Sequence, residues 1–288
     1  MIRTIEKLMI EGVTMEYSII GEGEPLLVFH GGHSNCYEEF GYKALIERGF
    51  SLITPSRPGY GETSKEIGTS LLSACHFYKK LLDHLNTQKV HILAISAGGP
   101  SGILFAATYP ENVHTLILQS AVTKEWLTPK DIEYKVANVI FRPKTEKFTW
   151  KLISIMNNVF PQFIFKQMLP SFSTLTFKQA KDKLDVNDIE AIRKMNNRQR
   201  SGKGFLLDLV QINEVTIDTL QAVQCPTFIM HSKNDASVPL EHPNLAHENI
   251  PFSKLHLLDT WGHLIWLGKS SEETDKSLIA FLLSHKMN

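Results

Sequence analysis

The chain has 288 residues, 43% of them hydrophobic, with 30 basic residues against 30 acidic ones. That length and apolar fraction support one large core carrying an insertion, not two independent domains. Balanced charge without blocks of one sign argues against nucleic acid or a membrane surface as partner.

No apolar run reaches the length of a membrane span. The first residues, Met1 to Lys7, contain no apolar h-region of a signal peptide. The three cysteines, Cys36, Cys75 and Cys225, are far apart and form no CxxC pair. They read as reduced thiols in a cytoplasmic protein, and Cys36, close to His30-Gly31-Gly32, reads as a buried bystander.

Residues 5–10 and 13–20 alternate in apolar character across Glu11-Gly12, which predicts an antiparallel hairpin at a sheet edge. A Gly/Pro break at 21–25 precedes a short buried strand at 26–29. That strand runs directly into His30-Gly31-Gly32-His33. Two glycines at a strand end let a backbone N–H face outward, which suits an oxyanion hole. A helix is expected over 37–48 and a strand over 50–54. A rigid Pro/Gly loop follows at 55–64, and then a helix at 71–85 with one apolar stripe.

Residues 90–100, VHILAISAGGP, combine a buried strand, a very tight turn and a helix start. A serine at the apex of such a turn is pushed out of the sheet. The N–H groups that follow it point into the same space. This is the pattern of a nucleophile elbow, G-x-S-x-G, here written Ala94-Ile95-Ser96-Ala97-Gly98. Another buried strand is expected at 113–119. The alternation to this point predicts a parallel sheet with helices on both faces and ligands at the C-terminal strand ends.

From about Ala121 the pattern changes. Residues 122–213 read as a helical insertion lying over the C-terminal edge of the sheet, with 1–121 and 214–288 forming the core. An insertion in that place must present an apolar underside to a pocket. The alternation resumes with a strand at 227–230, a helix at 242–250, a strand at 255–258 and a terminal helix at 272–284.

Serine needs a base within hydrogen-bond reach, and the base needs an acceptor to fix its tautomer. The strand ends supply Ser96, Asp235 and His263 in that order. This is the chain order expected when an elbow serine comes first. Asp259, four residues before His263, is the rival to Asp235.

Together these residues resemble the α/β-hydrolase superfamily, in the serine-nucleophile branch with a helical cap. The marks are His30-Gly31-Gly32, Arg57-Pro58-Gly59-Tyr60-Gly61, the Ser96 elbow, Pro226 through Asp235 to Val238-Pro239, and Gly262-His263. The resemblance implies an α/β fold with a mostly parallel central sheet. It implies Ser96 as nucleophile, His263 as base and Asp235 as its partner, with the N–H groups of Gly32 and Ala97 as oxyanion donors.

Three positions depart from the pattern. Ala94 stands for the first elbow glycine, Ser56 for a common acidic residue, and His231 for a common glycine. A serine at the elbow argues against the dehalogenases and epoxide hydrolases of the superfamily. The expected activity is hydrolysis of a carboxylic ester, or a related acyl compound, with an apolar portion. C–C bond hydrolase, lactonase, aminopeptidase and perhydrolase readings share the triad, and a small-ligand-binding protein is the rival from another class. No cofactor and no metal site is expected, since neither HExxH nor EF-hand spacing occurs.

Overall fold

A computed structural model describes residues 2–128, 130–142 and 144–287. The strands are β1 (Thr4–Ile10), β2 (Val13–Ile20), β3 (Glu24–Phe29), β4 (Phe50–Pro55), β5 (Val90–Ile95), β6 (Val113–Gln119), β7 (Thr227–Ser232) and β8 (Ser253–Leu258). They form one sheet in the order β1-β2-β4-β3-β5-β6-β7-β8. β1 and β2 pair antiparallel, as do β2 and β4, and every other pairing is parallel.

The predicted hairpin is present, with Ile10 opposite Val13. Its two turn residues, Glu11 and Gly12, have φ of 52° and 82°. Positive φ at both positions matches the turn to the right-handed twist of the strands.

Six helices belong to the alternating part of the chain: α1 (Tyr42–Glu47), α2 (Leu71–His84), α3 (Gly99–Thr108) and, after β6, α10 (Ile217–Gln221), α11 (Glu241–Asn249) and α12 (Ser271–Ser284). Between β6 and β7 the chain passes through α4 (Ile132–Ile140), α5 (Glu146–Val159), α6 (Pro161–Phe172), α7 (Phe177–Lys183), α8 (Asp188–Arg198) and α9 (Gly204–Gln211). Among the described residues no helix is long and apolar enough to cross a membrane.

β5 shows why the central strands read as continuous apolar runs. Ile92 and Ala94 enter one core, with Cys75, Tyr78 and Phe105 of α2 and α3. Leu93 and Ile95 enter the other, with Leu45 of α1 and Leu278 and Leu282 of α12. A strand covered on both faces has no polar side to alternate with. The registers Phe29↔Ala94, Ile95↔Gln119 and Gln119↔Met230 bring the ends of β3, β5, β6 and β7 to one edge.

Several boundaries differ from expectation. The helix expected over 37–48 is reduced to α1, because Gly41 enters at φ 75°. Before it, the Arg3 guanidinium and the Ser18 hydroxyl hold the Cys36 and Glu38 carbonyls in an irregular turn. β7 continues through His231 to Ser232, so His231 lies inside the strand.

The alanine at the first elbow position is accommodated across the interface with α3. A methyl group added at Gly102 would lie 2.6 Å from the Ala94 Cβ. The glycine of the helix leaves the space that the Ala94 methyl occupies. At a free helix position Gly→Ala stabilises by about 1 kcal/mol. At Gly102 the clash is expected to win, with Gly102→Ala costing about 1–3 kcal/mol in urea unfolding. Ala94→Gly in the same chain should recover most of that loss. Additive costs in the double variant would contradict this account.

Candidate active site

The turn after β5 forces Ser96 into φ 51°. Left-handed backbone is costly for a residue with a Cβ, and it persists only where surrounding packing dictates it. Here the packing comes from two glycines. A Cβ at Gly98 would lie 2.2 Å from the Phe29 carbonyl oxygen, and one at Gly99 would lie 2.1 Å from that of Val122. β3 and the segment after β6 therefore press on the turn from both sides.

The structure brings together the three residues that the sequence selected. Ser96 Oγ lies 2.9 Å from His263 Nε2, and His263 Nδ1 lies 2.7 Å from Asp235 Oδ2. The Asp235 carboxylate is fully buried. Its other oxygen accepts the N–H groups of Ser237 at 2.8 Å and Val238 at 2.9 Å. The His263 backbone is held from two sides. Its N–H donates to the Phe172 carbonyl at 2.8 Å, and its own carbonyl accepts the Ser120 hydroxyl at 2.7 Å. The arrangement can pass a proton from a serine hydroxyl to an imidazole whose tautomer a carboxylate fixes.

Asp259, the rival acid, is engaged elsewhere. It pairs with Lys183 at 2.9 Å and accepts from Asn234 at 3.0 Å, and its side chain is 69% exposed.

Gly31 and Gly32 run beside the turn. A methyl at Gly31 would lie 3.3 Å from Ser96 Cβ, and one at Gly32 would lie 3.7 Å from Ala97 Cβ. The peptide between these glycines is fixed by its carbonyl. The Gly31 oxygen meets His30 Nδ1 at 2.8 Å and Arg57 Nη2 at 3.2 Å. In a trans peptide the N–H points opposite to the C=O. Anchoring this carbonyl on the Arg57 side therefore aims the Gly32 N–H to the other side.

Arg57 was legible as part of the Arg-Pro-Gly loop, but its partners were not. It is 3% exposed, and its Nε donates to the His30 carbonyl at 2.8 Å. Its guanidinium is paired at both ends with Asp208 of α9, which also accepts the Tyr60 hydroxyl at 2.6 Å. Burial disfavours the guanidinium charge, but Asp208 outweighs it and raises the Arg57 pKa. One buried cation thus links the loop after β3 to a helix from the segment between β6 and β7.

That segment makes further contacts that the sequence did not reveal. The Arg200 N–H donates to the His33 carbonyl at 2.8 Å. Ser201 Oγ accepts Trp150 Nε1–H at 2.7 Å and lies 2.8 Å from His33 Nδ1. The Ser201 hydroxyl thus joins the Trp150 indole to the His33 ring. Phe205 packs on His33 with ring centroids 3.9 Å apart, and a methyl at Gly32 would sit 3.4 Å from its ring. Phe172 lies parallel to the His263 ring.

The two other departures also have structural partners. Ser56 donates to Glu16 of β2 at 2.7 Å, and the same carboxylate oxygen accepts the Glu62 N–H at 3.1 Å. A carboxylate from β2 thus braces the loop through Ser56. His231 donates its Nε2–H to the Val238 carbonyl at 2.8 Å and lies 3.4 Å from Asp235 Oδ2. Burial lowers its pKa, against the pull of Asp235, and its Nδ1 is buried without a partner.

Cys36, Cys75 and Cys225 are buried and unpaired. Burial pushes the Cys36 thiol up to about 12, so it stays protonated beside the site. Among the described residues no cluster of three or more His, Cys, Asp or Glu could hold a metal ion.

A cavity of about 10 Å³ behind Ala97 is walled by Arg57, Asp208, Trp126 and Gln211, enough for one water at most. The groove of about 760 Å³ between α1 and α8 includes none of Ser96, Asp235 and His263.

A family model described as alpha/beta hydrolase fold matches residues 24–269. The chain belongs to that family and is a hydrolase of the α/β fold. It is 61% identical over 282 residues to the hydrolase YcgS of Bacillus subtilis (strain 168), covering 98% of this chain and 99% of that protein. It is 24% identical over 285 residues to 2-hydroxy-6-oxononadienedioate/2-hydroxy-6-oxononatrienedioate hydrolase 1 of Pseudomonas putida, covering 95% and 93%. An alpha/beta hydrolase fold protein from Nakamurella multipartita superposes with a TM-score of 0.81 at 20% identity, over 97% of this chain and 99% of that one.

Asp208→Ala leaves the Arg57 guanidinium buried without its counter-ion. Denaturant unfolding should show a loss of about 3–5 kcal/mol, and a loss below about 1 kcal/mol would mean that the pair is dispensable.

His33 and His242 are both lowered to about 3, chiefly by burial. Unfolded histidine titrates near 6.5, so the folded protein holds both rings neutral. Stability is therefore complete above about pH 6.5 and falls as pH drops toward 3, by up to about 1.4 kcal/mol per pH unit for each ring. His242 Nδ1 accepts the Thr123 N–H at 3.1 Å, a role an asparagine oxygen can take. His242→Asn should reduce the fall in urea-unfolding free energy between about pH 7 and pH 5. An unchanged slope would remove His242 from the acid limb.

Proposed function

We propose that the chain is a serine hydrolase acting on a carboxylic ester or a related acyl compound. The observation that carries this reading is the unbroken relay from Ser96 Oγ through His263 to Asp235, at 2.9 and 2.7 Å, mounted on a strained turn. Ser96 attacks the carbonyl while His263 takes its proton. The tetrahedral oxyanion is stabilised by the N–H groups of Gly32 and Ala97. His263 then protonates the leaving group, and water repeats the sequence on the acyl-enzyme.

In this reading residues 122–213 act as a cap over the core formed by 1–121 and 214–288. Phe205 against Gly32 and Phe172 against His263 give the substrate an apolar surround. This supports a substrate with an apolar acyl or alcohol part. Reduced, buried thiols support a cytoplasmic location.

Hydrolysis of a C–C bond is the second reading, and the similarity to the Pseudomonas putida enzyme favours it. It uses the same three residues, so the relay does not separate the two. The binding-protein reading loses support because no member of the relay is missing.

The test is hydrolysis of p-nitrophenyl esters of graded acyl length by wild type and Ser96→Ala, alongside labelling by a serine-reactive phosphonate. Ser96→Ala is expected to lower kcat by about 10⁴-fold or more and to abolish labelling. Asp235→Asn, which offers His263 the wrong tautomer, is expected to cost about 10³–10⁴-fold. Equal rates in wild type and Ser96→Ala would remove Ser96 as nucleophile.

A further inference from the structure

α5 is amphipathic in an unusual direction. Its inner face buries Trp150 and Asn157. Its outer face carries Phe148, Leu152, Ile155 and Val159, which fall on one stripe at helical spacing. These four side chains are between 49% and 71% exposed. Phe160 and Phe163 extend the stripe onto α6, both more than half exposed. Across the other junction, the Thr145 and Thr149 hydroxyls bond the Ile140 carbonyl and hold the end of α4 against the start of α5. Of the 19 large apolar side chains that stand exposed among the described residues, nine fall within residues 136–163. That concentration marks an interaction face, since scattered exposed apolar residues are normal and contiguous ones are not.

The charge around the face selects its partner. Lys147 and Lys151 are exposed along one flank of the α5 stripe, Lys144 is exposed in the turn just before the helix, and Lys166 stands exposed on α6. None of the four appears in an ion pair among the described residues. The acidic residue of α5, Glu146, is buried and turned inward, where it accepts the Ser201 N–H at 3.2 Å. An apolar stripe with a lysine flank and no exposed acid on its helix is complementary to an anionic lipid surface. A two-fold pairing about an axis across the helix would set the same lysines side by side, where they repel. We propose that the α4–α6 face docks on an anionic lipid surface, with the apolar stripe inserted and the lysines at the headgroups. The zero net charge of the chain averages over this face, which is why composition argued against a membrane surface.

The test is co-sedimentation with vesicles of phosphatidylcholine alone and of phosphatidylcholine mixed with phosphatidylglycerol, with sedimentation velocity of the free protein in parallel. The protein is expected to pellet with the anionic vesicles, weakly with the neutral ones, and less as salt is raised to ~0.5 M. Phe148→Ser should weaken pelleting about tenfold, and Lys144→Glu combined with Lys147→Glu and Lys151→Glu at least as much. The triple charge reversal alters only exposed side chains, so it remains informative should Phe148→Ser misfold. Absence of pelleting, or pelleting that neither variant weakens, overturns the proposal. So does a dimer of the free protein that Phe148→Ser dissociates, since the face would then belong to a second copy.

Discussion

One buried guanidinium organises the site. Arg57 spends its donors on two carbonyls at the end of β3 and on a carboxylate from α9, with the Tyr60 ring beneath it. Removing that charge from water is costly, and bidentate pairing with Asp208 offsets the cost. The fixed fork geometry is what matters, because it sets a peptide plane as well as a charge. Lysine would supply the charge but could not hold His30 O, Gly31 O and Asp208 together. The orientation of the Gly32 N–H is therefore a consequence of a residue outside the relay.

The opposite wall of the site is built on strain. Ser96, His33 and Ser120 all have positive φ, at 51°, 59° and 46°. All three follow strands that end at the same sheet edge. Such conformations cost of order 1 kcal/mol each and need surroundings that over-determine them. The surroundings are close backbone contacts at Gly98 and Gly99, where any side chain would collide with a carbonyl. The Ser120 hydroxyl in turn bonds the His263 carbonyl, so strain after β6 is used to hold the imidazole loop. Rigid sheet ends thus fix the serine and histidine to each other through backbone, not through flexible side chains.

Legibility in the sequence followed the range of the interaction. β5 and its turn were readable because burial, apolar run and small residues all lie within eleven residues. The order Ser96, Asp235, His263 was readable because each follows a strand end. The hairpin was readable from two alternating runs and a Glu-Gly turn. By contrast, Asp208 lies 151 residues from Arg57 and sits in an unremarkable helical stretch, so no local signal marks it. Glu16 bracing Ser56 and Gly102 yielding to Ala94 are compensations between elements, visible only once the elements are packed. Over residues 37–41 the expected helix gives way to an irregular turn. Side-chain bonds from Arg3 and Ser18 to the Cys36 and Glu38 carbonyls hold it, and both donors lie far back in the sequence.

The helices between β6 and β7 turn two different faces to two different environments, and α5 shows how one sequence serves both. Its inward residues reach the site through a short chain of contacts. Trp150 donates to Ser201, Ser201 is hydrogen-bonded to His33, and His33 adjoins Gly32. Burial keeps the His33 ring neutral. The outward residues of the same helix are apolar, with lysines beside them. A helix with one purely structural face would need polar residues on the other. Here the second face is apolar too, and it stands exposed. A ligand seated there would bear on the helix whose Trp150 meets His33, so surface binding and site geometry share a helix. In physical terms that is the condition under which docking and chemistry can influence one another, because both act on one element instead of on two joined by a flexible loop.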